Sequence, residues 1–262
     1  MIAQKEGNSR SEIRKKRKAD HPKPWMAGGE GYMDIVMEVR KELKLLADEK
    51  YRIFHSKLVP GKEHILGVRM PKLRQLAKRI SAGEGWRTYL DGEPSEYYEE
   101  ELLRGFIIGY ARMPLEERLK RLKAFIPVID NWAVCDGTCS TLKFTEKNKA
   151  VMWDFLQPYF HSDRAYDIRF ASVMAMDYFQ EEAYLPKVLD LFEQIRHDDY
   201  YVKMGVAWAV SMFYIRFPKE IEAFLRRDRM DDFTHNKAIQ KIRESRRVTP
   251  EEKARLNALK RK

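Results

Sequence analysis

From Met33 onward, apolar side chains return every three or four residues, the spacing of one face of a helix. Between Asp34 and Asp48 the apolar set is Ile35, Val36, Val39, Leu43, Leu45 and Leu46. Pro71 opens the next helix in its first turn, where a missing N–H costs nothing. Leu73, Leu76, Ala77 and Ile80 are its stripe. Pro94-Ser95 predicts the start of another helix, which carries Tyr98, Leu102, Leu103, Phe106, Ile107 and Tyr110. Pro114-Leu115-Glu116-Glu117 predicts a further start, with acidic residues favourable in the first turn. No run alternates as a half-buried strand does, and Asp136-Gly137 sits within a helical stretch. Residues 1–32 read differently. Glu6 to Asp20 is polar and basic, and His21-Pro22-Lys23-Pro24 and Gly28-Gly29 follow as breakers. The expectation is a basic flexible tail over 1–32 and one all-α domain over 33–262.

The helical segments also repeat. Similar apolar stretches recur at Glu101–Ile108, Trp132–Leu142, Arg169–Met176, Lys203–Ser211 and Lys237–Ile242. A charged residue recurs in them at Arg104, Asp136, Arg169, Lys203 and Lys237. A period of about 34 residues with two helices per unit is the signature of a helical solenoid. Stacked units put one helix of each pair on a shared inner surface. The five charged residues are therefore expected to form a ladder on one face; equal helix lengths alone would give the same spacing.

Charge qualifies the picture. The formal net charge is +10 and the pI about 9.4, which suggests a polyanionic partner. The excess lies at the ends: 8 basic against 4 acidic residues in 1–32, and 10 against 3 in 237–262. The stretch between is close to neutral, so any binding surface there depends on local clustering. No apolar run approaches the roughly 18 residues of a membrane helix. The N-terminal charges are not followed by the apolar core of a secretory signal. Two cysteines, Cys135 and Cys139, exclude a disulfide framework and read as small, semi-buried helix residues. Phosphate-binding glycine loops, the paired histidines of zinc hydrolases and the serine-hydrolase elbow are all missing from the sequence.

Candidate chemistry gathers in four segments. In Asp130-Asn131-Trp132-Ala133-Val134-Cys135-Asp136-Gly137-Thr138, Trp132 and Asp136 lie one turn apart and share a face. Beside Gly137, Thr138 and Ser140 they form a possible pocket wall; alternatively Trp132 packs between units and Asp136 pairs with a neighbouring arginine. In Asp167-Ile168-Arg169-Phe170-Ala171-Ser172, Arg169 either holds a phosphate or bridges to Asp136. In Tyr200 to Val210, Gly205, Ala207 and Ala209 leave space around Trp208. The last segment, Thr234 to Arg247, is a basic helix. Thr234 and Asn236 are its candidate caps, and Lys237, Lys241 and Arg243 are either phosphate contacts or a solvated face.

At these residues the chain resembles the AlkD-like DNA alkylation repair family of DNA glycosylases. The resemblance runs from about Met33 to Lys260. It rests on Leu66-Gly67-Val68-Arg69-Met70-Pro71-x-Leu73-Arg74, on Asn131-Trp132-x-x-x-Asp136, on Arg169, on Lys203-x-Gly205-Val206-Ala207-Trp208-Ala209, and on Lys237-Ala238-Ile239. It implies a curved solenoid of HEAT-like repeats that removes cationic N3- or N7-alkylated purines from duplex DNA without flipping the base, an exception to the usual scheme. It places Trp132, Trp208 and Asp136 against the lesion and its arginine on Arg169, in a phosphate-contacting or site-ordering role; Lys203 and Lys237 lie in its motifs and, with Lys241 and Arg243 of the basic last helix, are the expected contacts to DNA. It implies no cofactor, no metal and no membrane, and a monomer acting in the bacterial cytoplasm. Some members carry an acidic residue directly after the first tryptophan; here it is Ala133.

Overall fold

The structure is a computed structural model and describes residues 31–227 and 229–262. The tail expected over 1–32 lies outside the described residues, except that Gly31 and Tyr32 already belong to the first helix. Among the described residues there are fourteen α-helices, two short 3₁₀ turns and no strand. They run α1 (Gly31–Leu46), α2 (Glu49–Ser56), α3 (Met70–Ala82), α4 (Trp86–Leu90), α5 (Tyr98–Tyr110), α6 (Leu115–Phe125), α7 (Trp132–Cys139), α8 (Lys149–Phe160), α9 (Ala165–Tyr178), α10 (Leu185–Gln194), α11 (Tyr200–Arg216), α12 (Pro218–Arg226), α13 (Asp232–Glu244) and α14 (Pro250–Asn257).

From α3 onward the helices come in pairs. The first helix of each pair packs on the first helix of the next, in the succession α3, α5, α7, α9, α11, α13. The chain is thus an all-α solenoid, with these six as its inner layer. The inner helices run parallel. Arg169 near the start of α9 reaches Asp136 and the Tyr201 carbonyl near the starts of α7 and α11. Tyr178 at the end of α9 donates to the Cys139 carbonyl at the end of α7.

Local sequence explains the elements. In α3, Pro71 sits in the first turn and Leu73, Leu76, Ala77 and Ile80 are buried. In α1 the buried set is Ile35, Val36, Val39 and Leu43; Leu45 points to solvent. That corrects the expected stripe, since Leu45 lies about 200° around the helix from Leu43. The helix expected from Pro94 begins at Tyr98. The Glu100 carboxylate accepts the Glu96 and Tyr97 amides at 2.8 and 3.0 Å, and these bonds hold the chain before the first turn. At the other end of α5, Arg118 donates to the carbonyls of Ile108, Gly109 and Ala111 and satisfies the open end of the helix.

The motif around Gly67 also has a structural purpose. The Leu66, Gly67 and Val68 amides all donate to the buried Glu99 carboxylate, at 3.0, 2.7 and 3.1 Å. Gly67 has φ +83°, and a Cβ there would lie 2.5 Å from the Asp48 carbonyl oxygen, so only glycine fits.

Glycines set the spacing of the inner helices. A Cβ on Gly109 would meet Thr141 Cβ at 2.5 Å and its carbonyl oxygen at 2.9 Å. Gly109→Ala gains up to about 1 kcal/mol of helix propensity. Overpacking against backbone costs about 1–3 kcal/mol, which outweighs that gain. The variant is therefore expected to unfold at lower denaturant with an unchanged slope; a midpoint equal to wild type would show that α5 and α7 are not in close contact.

Candidate functional site

The site begins at the N-terminus of α7. Asn131 caps this helix, its Oδ1 accepting the Val134 amide at 3.0 Å. Trp132 follows as the first helical residue, and its Nε1 donates to the Leu58 carbonyl at 2.7 Å. The loop carrying Leu58 is pinned by Lys62, whose Nζ bridges Glu101 at 2.8 Å and Asp130 at 2.9 Å. Burial works against the Lys62 charge, but its hydrogen bonds to Glu101 and Asp130 outweigh that and raise its pKa. The indole is thus oriented from outside its own helix.

One turn on, Asp136 receives both arms of a fork from Arg169: Nε at 2.9 Å and Nη2 at 2.8 Å. The Arg169 side chain is 7% exposed and that of Asp136 is 15% exposed. The remaining guanidinium nitrogen, Nη1, donates to the Tyr201 carbonyl at 2.7 Å. Burial penalises this cation, yet the hydrogen bonds and charge of Asp136 raise its pKa overall. Of the two roles the sequence left open for Arg169, this geometry has it bridging to Asp136. Gly205 makes room for the bridge: a Cβ there would stand 3.3 Å from Arg169 Cγ. Ala207 and Ala209, expected to leave space around Trp208, are buried in the core instead. Trp208 is half-buried on α11, one turn beyond Gly205. Ala133 is buried, so its position packs inward and does not share the stripe of Trp132 and Asp136.

The single charged ladder is corrected. Arg104 donates to the Leu90 and Glu93 carbonyls and lines a cleft with Arg121 and Phe125 on the outer-helix side. Lys203 pairs with Asp198 at 3.1 Å and approaches Asp231 at 3.9 Å, lining a recess with Phe192 and His197. Only Asp136 and Arg169 meet. The reason is register. Asp136 and Arg169 are each the fifth residue of their helices, whereas Lys203 is the fourth and Arg104 the seventh. Each residue of slip turns a side chain by about 100°.

Along α13, Asp231 is the cap, not Thr234 or Asn236; its Oδ1 accepts the Thr234 amide at 3.0 Å. Lys237 lies over the Phe233 ring, with its Nζ 5.6 Å from the centroid. Burial lowers the Lys241 pKa; Glu244 opposes this, and the nearby Lys237 and Arg169 add to the lowering. Arg243 is part-buried in the last turn, and its Nε finds no partner among the described residues.

Three features escaped the sequence reading, and a fourth, Arg74, entered it only as the last residue of the 66–74 motif. Arg74, on α3, donates to Tyr110 at 3.0 Å and to Ser140 at 2.8 Å while its guanidinium lies over Phe106. It ties three inner helices together. Arg112, Lys143 and Lys147 are exposed, form no ion pair among the described residues, and sit just past the ends of α5 and α7. Their place after an inner helix was the available signal. The 57–69 loop, which seats Trp132, was read only as a motif. Asp177, on α9, is accessible to solvent but walled in by protein. This burial, and then the charge of Asp136, push its carboxyl up to about 6.

The fold and this arrangement define a class: a helical-repeat protein whose inner layer carries a carboxylate locked by a buried arginine, one turn from a tryptophan. The family model for DNA alkylation repair enzymes matches residues 39–242, and the chain belongs to that family. Its role therefore lies in DNA alkylation repair, with DNA as the partner that role implies. Neither the curated proteins nor the solved structures contain a match.

Asp177 makes a pH dependence testable. Its carboxyl holds a proton more tightly in the folded chain than at the ordinary carboxylate value near 3.8. Folding stability due to this group is fully present below about 4 and declines as pH rises toward 6. Asp177→Asn removes that decline. The variant should gain stability relative to wild type between pH 4 and pH 7, measured by urea midpoints; a difference independent of pH would rule out the raised carboxyl.

Proposed function

We propose that this protein is a DNA glycosylase that excises cationic alkylated purines, of the N3-methyladenine and N7-methylguanine type, from duplex DNA without flipping the base. It acts as a monomer and uses no cofactor. Such a purine carries a positive charge, so it already leaves readily with the electrons of the glycosidic bond. As that bond lengthens, positive charge grows on the deoxyribose. Water then adds to the anomeric carbon and loses a proton, giving an abasic sugar and the free base.

The observation that carries this reading is the Asp136 carboxylate held by the buried Arg169 fork one turn from Trp132. A fixed anion at the inner surface stabilises a developing oxocarbenium ion without having to reorganise, and it can orient the attacking water. Trp132 and Trp208 supply aromatic faces, each worth about 0.5–2 kcal/mol toward a nearby cation. Arg169 acts as a positioning residue, since its three nitrogens are already used within the protein. Asp177 adds a carboxylate beside Asp136 that has no cationic partner among the described residues. Lys237, Lys241 and Arg243, with Lys203 more weakly because of its two carboxylates, are the contacts to DNA.

A second reading has one observation in its favour. The Asp136–Arg169 pair is closed on itself, as a purely structural strut would be. A module that binds damaged or unusual DNA without cleaving would look the same there.

Single-turnover excision from an oligonucleotide with one 7-methylguanine separates the two. Asp136→Asn should slow release by roughly 10²–10³-fold, the usual cost of removing one preorganised electrostatic group. Its DNA affinity should change little. Equal release by variant and wild type would remove Asp136 from the chemistry. Tight binding with no release by wild type would favour the non-catalytic module.

A further inference from the structure

Rings recur at the starts of the inner helices as regularly as the charges were expected to. Tyr98, Trp132, Tyr166, Tyr200 and Phe233 all fall in the first two residues of their helices. Tyr98 and Trp132 are engaged, by His55 and by the Leu58 carbonyl. The remainder form a continuous strip. Tyr166 and Tyr201 have centroids 5.8 Å apart, Tyr201 and Tyr200 5.4 Å, and Tyr200 and Phe233 6.0 Å. The strip starts beside the site, because the Tyr201 carbonyl holds Arg169. It becomes more open away from it: Tyr200 is 55% and Phe233 40% exposed.

The fold does not need those outer rings to be aromatic, since they cover little of the core. The charges around them decide what they suit. Asp199 and Asp231 accept the backbone amides at the starts of α11 and α13. Asp198 pairs with Lys203, and Asp232 with Arg261. All four carboxylates are thereby engaged. Lys237, over Phe233, forms no ion pair among the described residues, and Lys241, one turn on, is attracted by Glu244 without an ion pair to it. The named charges around the strip balance, and the one that lies against a ring is the Lys237 cation over Phe233. Open π-faces beside a cation suit a strand of nucleic acid with unstacked bases.

We propose that the Tyr166–Tyr201–Tyr200–Phe233 strip is a stacking platform for unpaired bases of a DNA strand running on from the site. The proposal rests on the reading that the chain acts on DNA, and it adds a preference for DNA with a short single-stranded tract beside the duplex. A strip of three to four rings receives only a few bases.

The test compares three DNAs by fluorescence anisotropy at moderate salt: a blunt duplex, the same duplex with a short thymine tail, and the same duplex with an abasic tail of equal length. Phosphates are matched between the two tails, so only the bases differ. Wild type should bind the thymine tail about tenfold more tightly than the abasic tail. A Tyr200→Leu, Phe233→Leu double variant keeps apolar bulk but loses the π-faces, and should bind both tails alike. Equal affinity of wild type for the two tails, or an unchanged ratio in the double variant, overturns the platform while leaving the DNA reading intact. Failure to bind any of the three overturns the DNA reading and the platform with it. A lysine-rich peptide held by wild type and not by the double variant would assign the rings to a protein partner and overturn the proposal.

Discussion

The Arg169 guanidinium spans three consecutive inner helices, α7, α9 and α11, through two bonds to Asp136 and one to the Tyr201 carbonyl. A charge so buried is costly unless every donor is met, and losing one partner of such a pair costs about 3–5 kcal/mol. The bond set therefore dictates its surroundings. Gly205 gives the arginine stem its room, since a Cβ there would press on it at 3.3 Å. The two partners have to share a position in their helices, which fixes the register of α7 against α9. The carboxylate that results is stiff in both position and orientation. Stiffness of that kind is what a group needs if it is to act on a developing charge without first rearranging.

The tryptophan side of the site is fixed by different means. Trp132 is anchored by a loop with no regular structure, and that loop has its own scaffold. Glu99 gathers three successive amides of residues 66–68, Gly67 takes the left-handed turn, and Lys62 ties the loop to Glu101 and Asp130. These bonds bring α2 and α3 into register with α5 and α7. The motif of residues 66–74 is thus chiefly structural, except at Arg74, which reaches Ser140 on the helix of Asp136.

The all-α class, the two-helix period and the pairing of Asp136 with Arg169 as one of two options were legible in the sequence. All three follow from residue type and spacing alone. What could not be read depended on angle. Asp136, Arg169, Lys203 and Arg104 look equivalent at intervals of 32 to 34 residues, but a slip of one or two positions within the helix turns Lys203 and Arg104 away from the Asp136–Arg169 pair. Linear spacing does not record that rotation. The Glu99 nest is equally invisible, because it joins a side chain to backbone amides some thirty residues away. Asp177 carries no local signal, since its environment is made by neighbouring helices and by Asp136.

The same rotation changes what the net charge means. Counting lysines and arginines treats each as available, yet many are spent within the fold. Arg118 closes the end of α5, Arg104 binds two carbonyls, and Lys203 faces two carboxylates. Cations without an ion pair among the described residues remain all along the fold, among them Lys237 and Lys241 on α13 and Arg112, Lys143 and Lys147 past the ends of α5 and α7. A near-neutral middle can therefore present a positive field locally, because it is the unpaired charges that a phosphate meets. That reconciles a body without excess charge with a family whose work is on DNA. Of these cations, Lys241 on α13 is near enough to Arg169 for the two charges to act on each other. A fixed carboxylate with basic side chains along the same solenoid is the arrangement that the proposed excision of a cationic lesion from an anionic backbone calls for.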